Sequence, residues 1–143
     1  MEKISPKDYF KKLAFSIKDA EIRLVAAIMS EYIGEENAVR LEALSGRVSM
    51  DERKVRIILR RLRNEYGLPV CSISGKPGYW LAHSLSETKP SEIEFRSRAR
   101  ENIENANAYQ RCNYPPEQAE ELREVQPALL EVPEPDPVPH WRW

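Results

Sequence analysis

The chain is poor in the residues from which most reactive centres are built. It has only two histidines, His83 and His140, and two cysteines, Cys71 and Cys112. Neither type recurs at a metal-ligand spacing, so no metal or other cofactor is expected. The two cysteines are expected to stay reduced in a cytosol rather than to form a disulfide. There is no phosphate-binding glycine loop, no Gly-x-Ser-x-Gly turn and no paired-carboxylate motif, so catalysis is not expected. Carboxylates are plentiful, but they fall on helix faces and in the C-terminal stretch, where solvation accounts for them. No apolar run approaches the roughly 20 residues of a membrane span, so a membrane partner is not expected. The opening MEKISPKDYFKK lacks the apolar core of a signal peptide, which makes a cytoplasmic location the expectation. No internal repeat is visible.

What is present is unevenly spread. The 143 residues hold 22 Lys/Arg and 23 Asp/Glu, a net charge of -1. That total argues against a polyanion partner, but its distribution reverses the argument. Residues 38–83 carry nine Lys/Arg against four Asp/Glu, while residues 114–143 carry two against seven. A basic module is followed by an acidic tail, and it is the module's local field that a phosphate backbone meets. The hydrophobic fraction of 41% allows a core. Seven of the eleven prolines lie after Asn113, so the tail is expected to be largely disordered, with one helical stretch over 117–124.

Local patterns place the elements. Ser5-Pro6 reads as a helix cap and first turn, with Tyr9, Phe10, Leu13, Ala14 and Ile17 as its apolar face. Ser16-x-x-Asp19 reads as a capping box for a second helix, which carries Ile22, Val25, Ala26, Met29 and Ile33 and ends at Gly34. Ala38–Leu41 reads as a short edge strand and Glu42–Gly46 as a short helix. Ser49-x-x-Glu52 reads as a capping box that opens the main helix, Asp51 to Tyr66. Residues 69–73 and 79–82 alternate as strands around a Ser74–Gly78 turn. Lys89-Pro90 reads as a break. Ser91-x-x-Glu94 then caps a helix whose stripe of Phe95, Ala99, Ile103 and Ala106 must pack on its own chain or on a second copy. The expected fold is mainly α with a small β-hairpin. Its divisions are an N-terminal helical extension (1–18), a helix-turn-helix with hairpin (19–83), a C-terminal helix (84–113) and the acidic Pro-rich tail (114–143).

The main helix carries the functional argument. At 100° per residue, Ile58, Leu59 and Leu62 fall within about 60° of Val55 and form a buried stripe. Arg53, Ile57, Arg60 and Asn64 lie opposite, and Lys54, Arg56 and Arg61 flank them. Arginine can bond guanine bidentately and asparagine can do the same for adenine, while an exposed Ile57 suits a thymine methyl or a sugar. The flanking cations suit phosphates, which position a protein without specifying sequence. Arg47 and Ser49 in the preceding turn also suit phosphate, although Ser49 is expected to be spent on the helix cap, and Lys76 at the hairpin tip suits a minor groove or a phosphate. Tyr79 and Trp80 lie in a returning strand, and at least one of them is expected to be core or to cover the first helix.

The run VRIILRRLRNEYGLPVCSISGKPGYWLA resembles winged-helix proteins encoded by phages and prophages. The resemblance is carried by Val55, Leu59, Leu62, Arg63, Gly67, Pro69, Val70, Ser72 and Gly78 to Ala82, and it spans roughly residues 19–113. The layout is also similar to the DNA-binding domain of biotin-operon repressors. Glu65-Tyr66 and the acidic tail depart from the shared pattern, and no ligand domain follows, so biotin sensing and ligase chemistry are not implied. The resemblance implies a winged helix-turn-helix that binds double-stranded DNA as a small phage or prophage transcriptional regulator. The setting would be bacterial or infected-cell cytoplasm, at the nucleoid. Two alternatives stay open. One is a replication or recombination accessory. The other is a protein adaptor that recruits or inhibits a partner through the tail, where Trp141 and Trp143 resemble a hot-spot motif. A homodimer through residues 91–113 is also open.

Overall fold

The computed structural model describes residues 3–113, 115–117 and 131–132. Two compact units divide the chain, Met1–Ser91 and Glu92–Trp143. Among the described residues the protein is mainly helical, with five α-helices and one two-stranded antiparallel sheet. None of these helices is long and apolar enough to cross a membrane. Trp141, Trp143 and most of the tail, including 118–124 of the expected tail helix, lie outside the described residues.

Helix α1 (Pro6–Phe15) starts as its sequence predicts. The Ser5 hydroxyl accepts the Asp8 amide at 3.2 Å, and Pro6 occupies the first turn, where a missing N–H costs nothing. Ser16 ends that helix; its hydroxyl donates to the Leu13 carbonyl at 2.6 Å. It does not open the next one. Helix α2 (Ala20–Met29) is capped by Asp19, whose carboxylate accepts the Glu21 and Ile22 amides, both at 3.0 Å. An ionised acceptor at an N-terminus satisfies orphan amides and complements the helix dipole at once. Ala14 of α1, and Ile17 just after it, are buried in the same core as α2.

Helix α3 (Leu41–Val48) runs two residues past Gly46, the expected stop. It ends instead at Ser49, which adopts a left-handed conformation with φ 55°. Ser49 is therefore the C-cap of α3, not the N-cap of the main helix. That helix, α4 (Glu52–Asn64), is capped by Asp51, which accepts the Lys54 amide at 2.8 Å. The Ser45 hydroxyl donates to the Met50 carbonyl and holds the three-residue turn between the two helices.

Strands β1 (Val70–Ile73) and β2 (Lys76–Leu81) form the hairpin, with Val70 opposite Leu81 and Cys71 opposite Trp80. Alternation sends Tyr79 and Leu81 to the main core and Trp80 to the other face, where it is buried with Cys71 and Ala82. The edge strand expected over residues 38–41 shrinks to one bridge. Val39 and Tyr79 exchange both backbone hydrogen bonds, each 2.8 Å.

Gly78 makes that bridge possible. Its φ of 113° is rarely open to other residues, and an added Cβ would lie 3.0 Å from the Val39 carbonyl oxygen. Gly78→Ala is expected to lower stability by roughly 1–3 kcal/mol, because strain and collision act together. Chemical denaturation of the two proteins measures the difference.

Helix α5 (Lys89–Gln110) begins before the expected break. Lys89-Pro90 forms its first turn, and Ser91 is not a cap. The Ser91 side chain is buried and donates to the Ser72 carbonyl at 3.1 Å. Along the predicted stripe Ile103 is half-buried, whereas Phe95, Ala99 and Ala106 are exposed.

Candidate nucleic-acid interface

Helix α4 has thirteen residues, six of them Lys or Arg and one Glu. An isolated helix of that length is marginal in water, so packing has to hold it. Val55, Ile58, Leu59 and Leu62 are all buried, as the angular placement predicts. Each such side chain contributes about 1.5–3 kcal/mol on burial. With the inner stripe carrying stability, the outer face is free to be chosen for another purpose.

That face is strongly cationic and partly apolar. Arg53, Arg56, Arg60 and Asn64 are exposed, and Ile57 keeps 43% of its surface in solvent. Arg53, Arg56 and Arg60 make no ion pair and no side-chain hydrogen bond among the described residues. Glu52, four residues before Arg56, is not paired with it. Arg53 with Arg56, and Arg56 with Arg60, stand at the spacings where like charges repel on a helix. Asn64 accepts Nε–H of Arg63 at 3.3 Å.

The remaining cations of the sequence prediction are differently placed. Lys54 is ion-paired with Glu21 at the start of α2. Arg61 reaches Glu65 with both Nε and Nη2, the latter at 2.9 Å. Lys76 is not at the tip, which is Ser74-Gly75. It is the first residue of β2, and its Nζ lies 2.7 Å from Oε1 of Glu35. The carboxylates raise the pKa of Lys54 and Arg61 above their ordinary values through these hydrogen bonds. All three pairs stay substantially open to solvent, where ion pairs are weak and easily exchanged.

Arg47 is held more firmly. Its Nη1 lies 2.5 Å from Glu31 and 2.8 Å from the Tyr32 hydroxyl, and its guanidinium stacks 5.8 Å from the Tyr32 ring centroid. These contacts tie the end of α3 to the end of α2. Ser49 is exposed beside it, with its backbone spent on the turn.

The Arg47 hydrogen bond, with smaller help from Lys7 and Lys11, holds the Glu31 carboxyl below its usual range. A depressed carboxylate pKa stabilises the fold above the unfolded value, about 4.3 for Glu, and that stability disappears as pH falls through the folded pKa. The melting temperatures of the native chain and Glu31→Gln should therefore differ near neutral pH and converge below about pH 4. Thermal scans across that range check it.

Sequence reading missed the carboxylates Glu21, Glu31, Glu35 and Glu65. Only Glu65 left a local signal, four residues after Arg61. The other three meet their cations through tertiary packing. Among the described residues no group of three or more His, Cys, Asp or Glu side chains is placed to hold a metal. The chain matches no protein-family model, no curated protein and no solved structure.

Proposed function

We propose that the Met1–Ser91 unit is a winged helix-turn-helix that binds double-stranded DNA. Helix α4 enters the major groove, the β1–β2 hairpin is the wing, and the protein acts as a small transcriptional regulator of the phage or prophage type. One observation carries this reading. The helix that follows a short helix and a three-residue turn presents three exposed, unpaired arginines around an exposed isoleucine. Self-repulsion on such a face opposes helix formation, and a polyanion relieves it. In this reading Arg53, Arg60 and Asn64 contact base edges, Ile57 meets a thymine methyl or sugar, and Arg56 takes a phosphate.

The test is selection from a random duplex library at two salt concentrations. Enrichment of a defined sequence supports the regulator. Salt-sensitive binding without enrichment favours a replication or architectural accessory. Absence of binding at either salt concentration rejects the DNA reading and leaves the protein adaptor.

A further inference from the structure

Apart from Arg47, the cations named for the interface fall into two sets: both base-reading arginines are unpaired among the described residues, whereas three of the four phosphate cations hold a carboxylate, Arg56 being the exception. Arg53, Arg56 and Arg60 on the outer face have no carboxylate partner among the described residues. Lys54, Arg61 and Lys76, which suit flanking phosphates, each hold a carboxylate of the same chain. The three acids come from three places: the first turn of α2, the turn Glu35–Asn37, and the end of α4 itself. Helix stability does not explain all of them. Glu65 is the C-cap residue of α4, where a negative charge opposes the helix dipole, and the Arg-then-Glu order is the weaker orientation of an i,i+4 pair.

We propose that Glu21, Glu35 and Glu65 are specificity determinants, which withhold Lys54, Lys76 and Arg61 from the DNA backbone and so suppress sequence-independent binding. The inference rests on the DNA reading above. A cation that must leave a carboxylate to reach a phosphate exchanges one anion for another and gains little. The same carboxylate, once displaced, stands beside a phosphate and repels it. An unpaired arginine meets neither penalty. Generic duplex, bound through phosphates alone, loses most of its attraction. A sequence that engages Arg53 and Arg60 at base edges keeps its own. Arg47 is outside this device, because its hydrogen bond and stacking on Tyr32 give it a structural task.

The test compares two variants with the same change of charge. One is Glu21→Gln/Glu35→Gln/Glu65→Gln. The other, Glu36→Gln/Glu42→Gln/Glu101→Gln, removes three carboxylates that make no ion pair among the described residues. Fluorescence anisotropy is read with a labelled random-sequence duplex, and with the enriched site, over a salt series. The first variant should bind the random duplex at least about tenfold more tightly at low salt, with the log–log salt slope steeper by about 0.9 for each cation released. Its gain on the enriched site should be smaller, so the ratio between the two falls. The control should shift both probes weakly and alike. Equal behaviour of the two variants, or an unchanged slope, overturns the inference. The DNA reading is judged separately, by loss of binding in Arg53→Ala/Arg60→Ala. If the native chain binds neither duplex while the first variant binds, the native chain is not a specific DNA binder, and the inference falls with the reading. If neither binds, inference and reading fall together. Should the triple variant not fold, Glu35→Gln against its neighbour Glu36→Gln repeats the comparison in an exposed turn.

Discussion

Arg53→Ala/Arg60→Ala should bind the enriched duplex at least about 30-fold more weakly than the native chain while melting at nearly the same temperature. A lost bidentate base contact costs about 1–3 kcal/mol, so two together cost about 2–6 kcal/mol. With about 1.4 kcal/mol to a factor of ten, even the lower end is easily read in a titration. The fold should not suffer, because both side chains are exposed and unpaired among the described residues. Removing them even relieves repulsion from Arg56. A large drop in melting temperature would mean that these arginines are structural, and the interface would need to be sought elsewhere. The matching Lys54→Ala change should behave otherwise. Its loss should be small and similar for every sequence, as befits a phosphate contact already held by Glu21.

Trp80→Ala should be the most damaging single change to the fold. Trp80 is only 1% exposed and is the bulkiest of the fully buried side chains. It fills the small cluster with Cys71 and Ala82 on the hairpin face that turns away from the main core. Deleting an aromatic side chain from such a site costs about 3–5 kcal/mol, a large share of the stability of a domain this size. Trp80→Phe should cost much less. The indole Nε1–H is buried without a hydrogen-bond partner among the described residues, and an unsatisfied buried donor carries a penalty of about 1–3 kcal/mol. Phenylalanine loses some packing but also removes that penalty. Urea denaturation of the three proteins decides between these accounts. Equal losses for Ala and Phe would show that the indole nitrogen is satisfied in solution.

The three serine-based capping boxes teach one lesson about reading such a chain. Each Ser-x-x-Asp/Glu pattern fell near a real helix start, and in each the serine had other work. Ser16 and Ser49 close the preceding helices, and Ser91 reaches across to Ser72. The caps are Asp19 and Asp51, whose charge bonds the free amides and suits the dipole together. Connections of three or four residues leave no room for a spare serine, so one residue ends a helix and a nearby aspartate begins the next. The α4 stripe was legible because burial there follows the helix period alone. The outer face was legible for the same reason. The partners of Lys54 and Lys76 were not, since Glu21 and Glu35 lie 33 and 41 residues away along the chain and only folding brings them near.

The Val39–Tyr79 bridge has a further effect on how the protein behaves when concentrated. A two-stranded sheet ordinarily leaves two rows of unpaired backbone groups, each a template for another chain. Here the outer side of β2 is taken up at Tyr79 and Leu81. Val39 exchanges two hydrogen bonds with Tyr79, the Leu81 carbonyl accepts the Gly34 amide, and the Leu81 amide donates to the Tyr32 carbonyl. On β1 the Ser91 hydroxyl occupies the Ser72 carbonyl. A neighbouring hairpin finds the C-terminal half of the β2 edge already occupied. The short bridge that ties the hairpin to the segment preceding α3 thus also keeps that part of the edge from pairing with another chain.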